Sequence, residues 1–154
     1  MNQDRLERQL AIDEGKRLAA YPDTEGILTV GIGHNCVAKP VPGVENVGDR
    51  ITEEQCSALF AADIAEVYED LDRYLPWWRD LDDVRQEVLA NMAFNMGIGR
   101  PGIDGLRSFV NTLVHIQAGR WDAAAAGMLS SQWARQVGAR SVRLAYAMRT
   151  GAFK

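Results

Sequence analysis

Cysteine and histidine are nearly missing from this chain of 154 residues, and each absence removes a class of protein. The two cysteines, Cys36 and Cys56, form no CxxC spacing and read as free thiols, not as a disulfide scaffold. The two histidines, His34 and His115, lie far apart with no ligand cluster beside them, so no metal site is expected. No run approaches the roughly 18 apolar residues of a membrane span, so stable membrane insertion is not expected either. The first eleven residues, MNQDRLERQLA, carry four charges and lack the apolar core of a signal peptide. The chain is therefore expected to be made and held in the cytosol, with any exit needing outside help. What remains is globular composition, 47% hydrophobic and 25% charged, which fits one compact domain or two small lobes sharing a helix.

Acidic side chains are scarce in one region only. Residues 1–104 hold ten Lys and Arg against twenty Asp and Glu, whereas residues 105–154 hold seven basic residues against Asp122 alone. That asymmetry fits ordinary surface solvation, and it equally fits a basic face that attracts an anionic polymer. No stacking aromatics alternate with these arginines, so nucleic acid is not the expected partner.

The chain is organised around Ile12–His34, IDEGKRLAAYPDTEGILTVGIGH. Asp4 and Glu7 resemble a capping box, and Leu6 and Leu10 start an apolar stripe on the helix they open. Glu14 is the next member of that stripe, and Gly15 stands where a helix cap belongs, so a carboxylate takes an inward position at the last helical turn. Residues 16–21 can form a strand, and Pro22-Asp23-Thr24-Glu25-Gly26 is turn chemistry. Ile27–His34 then alternates as a second strand. Leu28, Val30 and Ile32 share one face; Thr29, Gly31 and Gly33 share a bare face that an extended ligand could approach.

Residues 35–50 read as loop with room for one more strand. Thr52 and Gln55 form a capping box, and Phe60, Ile64, Val67, Leu71 and Leu75 then recur at helical spacing up to Pro76. A helix of about 24 residues spans about 35 Å, enough to join two lobes. Beyond Trp77-Trp78 the pattern is helical: a helix through Val84, Val88, Leu89 and Met92, one through Phe109, Leu113 and Ile116, then Trp121–Leu129, Ser131–Val137 and Ser141–Met148.

Two carboxyl groups of different protonation state suit cleavage of a glycosidic bond: one protonates the leaving oxygen, the other activates water or attacks. Glu14 on the apolar stripe is the candidate acid, Asp23 in its polar turn the candidate carboxylate, and Thr29 a hydroxyl that can orient water. Other chemistries fail on detail. Gly31-Ile32-Gly33 lacks the third glycine of a dinucleotide loop and no Lys-Ser/Thr follows it; Asp23–Gly26 does not continue as a calcium loop.

The segments IDEG, YPDTEG and LTVGIGH, followed by ITEEQCSALFAADI, DDVRQEVLANMAFNMG, SFVNTL, RWDAAA, SQW and RTGAF, resemble the phage-type lysozymes, the endolysins of T-even and related bacteriophages, over nearly the whole chain. The resemblance implies a single α+β domain with a sheet lobe near 12–51, a connecting helix 52–75 and a helical lobe 76–154 completed by residues 1–11. It implies hydrolysis, with inversion, of the β-1,4 bond between N-acetylmuramic acid and N-acetylglucosamine in peptidoglycan, leading to host cell lysis. Glu14 would be the acid, Asp23 the water-activating carboxylate and Thr29 its helper. Arg140 would support Glu14, and His34 and Asp63 would form a structural ion pair. Phe94, Thr112, Asn35 and Gly127 fall at substrate-contact positions, the last two departing from the residues usual there. The resemblance implies no cofactor, a monomer, and a separate holin for access to the wall. The runner-up reading is a catalytically weak, wall-binding or virion-associated module of the same fold.

Overall fold

The computed structural model describes residues 1–154, which divide into two units: Glu7–Glu66, and Met1–Leu6 with Val67–Lys154. Helix α1 (Gln3–Glu14) and helix α2 (Glu53–Tyr74) each contribute to both.

The first unit carries the sheet. The Gly15 N–H bonds the Ala11 carbonyl at 3.0 Å and ends α1 directly after Glu14. Strands β1 (Arg17–Pro22), β2 (Leu28–Gly31) and β3 (His34–Asn35) pair antiparallel in that order. Tyr21 stands opposite Thr29 and Thr29 opposite Asn35, forming one row across the sheet, while β1 is irregular between Arg17 and Tyr21. The expected strand through His34 is interrupted. Val30 pairs with His34, and Gly31-Ile32-Gly33 reverses the chain between them, with φ of 67° and 64° at the two glycines. Alternation cannot separate one strand from a tight hairpin whose apolar residue, Ile32, also points to the core.

The core beneath this sheet is Ala20, Val30, Ile32, Cys36, Val41, Val44, Ile51 and Cys56, closed on one side by the start of α2. Burial of each branched or larger member is worth about 1.5–3 kcal/mol. The loop from Cys36 to Thr52 is held by its own polar groups. Asp49 accepts the N–H groups of Glu45 and Asn46, both at 2.9 Å, and the Ala20 N–H reaches the Asp49 carbonyl at 2.7 Å. The expected capping box opens α2: the Thr52 N–H donates to Gln55 Oε1 at 2.8 Å, and the Gln55 N–H to Thr52 Oγ1 at 3.1 Å.

The second unit is helical: the end of α2, then α3 (Asp83–Met96), α4 (Val110–Gln117), α5 (Trp121–Leu129), α6 (Gln132–Val137) and α7 (Ala139–Thr150). Pro76 ends the α2 pattern, and Trp78, fully buried, donates its indole N–H to Asp72 Oδ1 at 2.8 Å. Gln86–Ala93 of α3 is buried on every face, as befits a central helix. Among these residues Glu87 is a carboxylate with no exposed surface. It is held by the Arg5 guanidinium at 2.7 and 2.9 Å and by the Asn2 N–H at 2.9 Å. Helix α7 packs along α5 and α3, bringing Leu144, Ala145, Ala147 and Met148 into the core. The whole is the α+β arrangement expected, a small N-terminal antiparallel sheet followed by helices. No helix is long and apolar enough to cross a membrane.

Candidate active site

Three elements of the sheet unit position the candidate chemistry. Glu14 ends α1, Asp23 opens the turn after β1, and Thr29 lies in β2. Glu14 packs over the β2–β3 hairpin: a Cβ placed on Gly33 would sit 2.8 Å from Glu14 Oε2 and 3.1 Å from its Cβ. Gly31 faces elsewhere, where an added Cβ would meet Cys56 Sγ at 3.3 Å and Ile51 Cδ1 at 3.6 Å. The bare backbone expected to receive a ligand is thus bare for two internal reasons. Gly31 makes room for the start of α2, and Gly33 makes room for the candidate acid itself.

Asp23 is locked by its own turn. Its Oδ1 accepts the N–H groups of Glu25 and Ile27, each at 2.8 Å, which fixes the carboxylate plane and leaves Oδ2 for other work. The Ile27 carbonyl accepts the Asp23 N–H at 2.9 Å and the Thr29 hydroxyl at 2.8 Å. One residue therefore links the two side chains: the Ile27 N–H donates to the Asp23 carboxylate and the Ile27 carbonyl accepts from the Thr29 hydroxyl. With its proton committed to Ile27, the buried Thr29 Oγ1 can act only as an acceptor toward a third group. Asp23 Oδ2 is likewise an acceptor. A water between two acceptors must point its hydrogens at them and turn a lone pair outward.

Tyr21 was not singled out in the sequence, yet it belongs to this constellation. Its phenol is held above its ordinary range by burial first, then by the negative charge of Glu14, with Arg17 opposing and Asp23 adding to the rise. Both carboxylates thus act on one hydroxyl. The Arg17 guanidinium lies 4.0 Å from the centre of the Tyr21 ring. Only the register opposite Thr29 reveals the placement, and the irregularity in β1 hides that register from alternation.

The supporting pair is present. His34 Nδ1 lies 2.8 Å from Asp63 Oδ2 and its Nε2 lies 2.9 Å from the Lys39 carbonyl, so both ring nitrogens face acceptors. The ring is driven above its usual range chiefly by the Asp63 hydrogen bond. Burial pushes the Asp63 carboxyl up, but the bonds from His34 and Lys39 outweigh it and hold it below the carboxylate range. Lys39 adds an ion pair to Asp63 at 3.0 Å and one to Glu66. Asn35 uses its Oδ1 to accept the N–H groups of Val37 and Ala38, both at 2.9 Å, and so builds the turn after β3.

The other residues that the resemblance singles out lie in the helical unit. Arg140, on α7 and 9% exposed, donates Nε–H to Asn91 Oδ1 of α3 at 2.9 Å. Phe94 is half-buried on α3. Thr112 on α4 and Gly127 on α5 meet directly: a Cβ on Gly127 would lie 2.2 Å from Thr112 Oγ1. Gly127 thus seats the Thr112 hydroxyl between two helices, a contact invisible to spacing because the two residues lie on different elements.

A catalytic-type carboxylate at a helix end, a second in a following turn and a hydroxyl on the next strand, ahead of a helical unit, define a lysozyme-like class. The phage lysozyme family model matches residues 11–147, and the chain belongs to that family. It is 34% identical, over 95% of its length, to the pre-baseplate central spike protein Gp5 of Enterobacteria phage T4, of which it spans 28%. It is 28% identical to probable T4-type lysozyme 1 of Dictyostelium discoideum, spanning 94% of that protein. It is 32% identical to the endolysin of Salmonella phage P22 over 58% of each chain.

Proposed function

We propose that the chain hydrolyses the β-1,4 bond between N-acetylmuramic acid and N-acetylglucosamine in peptidoglycan, with inversion at the anomeric carbon. Glu14 gives its proton to the leaving oxygen. Asp23 Oδ2 takes a proton from water while Thr29 Oγ1 accepts a hydrogen bond from the O–H that the water keeps, and the water's free lone pair attacks the anomeric carbon. Glycosidic oxygen and anomeric carbon part; the sugar gains hydroxyl, Glu14 is left ionised and Asp23 protonated, and proton exchange restores both. Arg140 supports the acid. Phe94 contacts the glycan, while Thr112, buried against Gly127, acts indirectly through that packing and Asn35 through the turn described above.

The observation that carries this reading is the position of Ile27, whose N–H holds Asp23 Oδ1 and whose carbonyl takes the Thr29 hydroxyl, leaving the Asp a spare oxygen and the Thr no spare hydrogen. Membership of the lysozyme family supports it. Wild-type protein should clear a suspension of permeabilised Gram-negative cells, and NMR of the fresh product should show α-configured reducing ends. An inert wild type would remove the hydrolase reading; β-configured ends would remove inversion. For delivery, the favoured reading is an endolysin held in the host cytoplasm and released to the wall by a holin. A second reading has its own support: the 34% identical relative is a baseplate spike. Its test is location. Co-sedimentation of the chain with purified virions would favour a particle-borne enzyme; recovery only from the lysate favours the endolysin.

A further inference from the structure

One cavity lies wholly inside the helical unit and takes no part in the chemistry above. It has a volume of about 530 Å³ and is lined by Trp77, Asp80, Leu81, Asp82, Ile116, Gln117, Ala118, Gly119 and Trp121. Its size is that of a small-molecule or single-sugar site. Two half-buried tryptophans, Trp77 and Trp121, share this open cavity with polar groups, and an aromatic face beside a polar group is a common means of binding.

The polar groups divide into fixed and available. Asp82 is committed: Oδ2 caps α3 at the Arg85 N–H, and Oδ1 accepts the Arg85 guanidinium at 2.9 Å. Arg85 is committed too, donating to the Met148 carbonyl at 2.7 Å and the Arg149 carbonyl at 3.2 Å, with its guanidinium carbon 3.8 Å from the centre of the Trp121 ring. This clamp holds Trp121 in one orientation before any ligand arrives. The Trp77 indole N–H, the Asp80 carboxylate and the Gln117 amide have no side-chain hydrogen bond within the protein.

Charge chooses the occupant. Asp82 and Arg85 cancel, leaving Asp80 as the single uncompensated charge, so a phosphate or a carboxylate is disfavoured. The Asp80 carboxylate also admits a cation, but the Trp121 ring already carries the Arg85 guanidinium, which weakens the attraction of that ring for a second one. A neutral ligand with an apolar face and hydroxyl or acetamido donors fits each remaining feature. We infer that this cavity is an accessory glycan-binding site, taking an N-acetylglucosamine-type sugar between Trp77 and Trp121 with its hydroxyls donated to Asp80. The sugar class rests on the lysozyme reading above; the site would tether the enzyme to the wall without touching the scissile bond.

The test uses the 154-residue Glu14→Gln protein, uniformly labelled with ¹⁵N so that indole and backbone signals are both seen, titrated with a soluble β-1,4-linked tetramer of N-acetylglucosamine. The Trp77 and Trp121 indole signals, assigned from Trp77→Phe and Trp121→Phe, should shift with saturation and stay unchanged at high salt. Asp80→Ala, an exposed change, should weaken that binding about tenfold, the loss expected for one charge-assisted hydrogen bond. Against wild-type activity, Asp80→Ala should slow hydrolysis of intact sacculi and leave hydrolysis of short soluble fragments unchanged. Still indole signals while the Gly33 amide moves would overturn the site and leave the hydrolase reading intact. Indole shifts in Glu14→Gln together with a wild type that clears no cells would do the reverse. Binding that collapses with salt would overturn the neutral-sugar assignment.

Discussion

The sheet unit and the helical unit are held by different means. In Glu7–Glu66 an apolar core lies beneath the sheet, but the turns around the candidate site are held by short-range polar contacts: Asp23 bonds residues two and four along, Asn35 two and three along, Asp49 three and four back. In the helical unit they link residues distant in sequence through buried packing, as with Arg5 and Glu87 or Thr112 and Gly127. A site drawn from polar turns can lose a reacting atom while its backbone bonds persist. A buried helical contact cannot be changed without changing stability. The two units should therefore separate in mutagenesis, activity responding in one and melting temperature in the other.

The largest effect belongs to the candidate acid. Glu14→Gln keeps size and polarity, and loss of a general acid costs about 10²–10⁴-fold in rate. The expected outcome is loss of cell clearing with a melting temperature within a degree or so of wild type. Asp23 sharpens the contrast. Asn at this position still offers an oxygen to the Glu25 and Ile27 N–H groups, so Asp23→Asn should fold as wild type and lose activity. Asp23→Ala should lose the activity and the turn together. Circular dichroism melts beside turbidity assays separate the two variants; equal melting temperatures would show that the turn bonds contribute nothing.

Glu87 tests the other side. Arg5→Ala leaves a carboxylate with no exposed surface facing only the Asn2 N–H. Breaking a buried ion pair costs about 3–5 kcal/mol, and the lower figure applies because the Arg5 side chain is 34% exposed and water can follow it. At about 2–4 °C per kcal/mol for a chain of this size, the melting temperature should fall by about 10 °C. A fall under about 2 °C would mean that Glu87 is satisfied without Arg5.

Gly127→Ala sets two effects against each other. Alanine favours an isolated helix by about 1 kcal/mol. Here its methyl would overlap the buried Thr112 hydroxyl, and overpacking costs about 1–3 kcal/mol. The expected net change is destabilising by about 1 kcal/mol, and it should reverse sign in a Thr112→Ala background, where the obstructing oxygen is gone. The same change in both backgrounds would break the assignment of Gly127 as the Thr112 seat.

These contrasts explain what could be read from the sequence. Periodicity located the seven α-helices, and Thr52, Gln55, Gly15 and Pro76 marked ends because they act within four positions of themselves; the start of α1 differs, since Asn2 rather than Asp4 accepts the first-turn N–H, that of Arg5, at 3.0 Å. Glu14, Asp23 and Thr29 stood out because their elements follow one another closely. The hairpin at Gly31–Gly33 was read through as a strand, because two left-handed glycines and an inward isoleucine mimic alternation. Tyr21 was missed because its position depends on a register set by an irregularity in β1. The contact between Gly127 and Thr112, and the filling of Gly33 by Glu14, depend on packing between elements, which no local pattern encodes.

The smallest effect is the pH dependence of the sheet unit, and its sign can be worked out from His34 and Asp63. The folded value of His34 is raised, so its contribution is fully present below the unfolded value, about 6.5, and is lost as pH rises through the folded value. The folded value of Asp63 is lowered, so its contribution is present above the unfolded value, about 3.9, and is lost as pH falls through the folded one. The pair therefore stabilises fully between about pH 4 and 6.5. Above that window the charged bond becomes a neutral one, a change of about 1 kcal/mol, or about 2–4 °C in melting temperature. His34→Gln should melt lower than wild type at pH 5 and lose most of that difference at pH 9, while the His34 ring resonances should titrate above their ordinary value. A difference that grows with pH would mean that the ring is neutral in the folded protein, and that Lys39 alone balances Asp63.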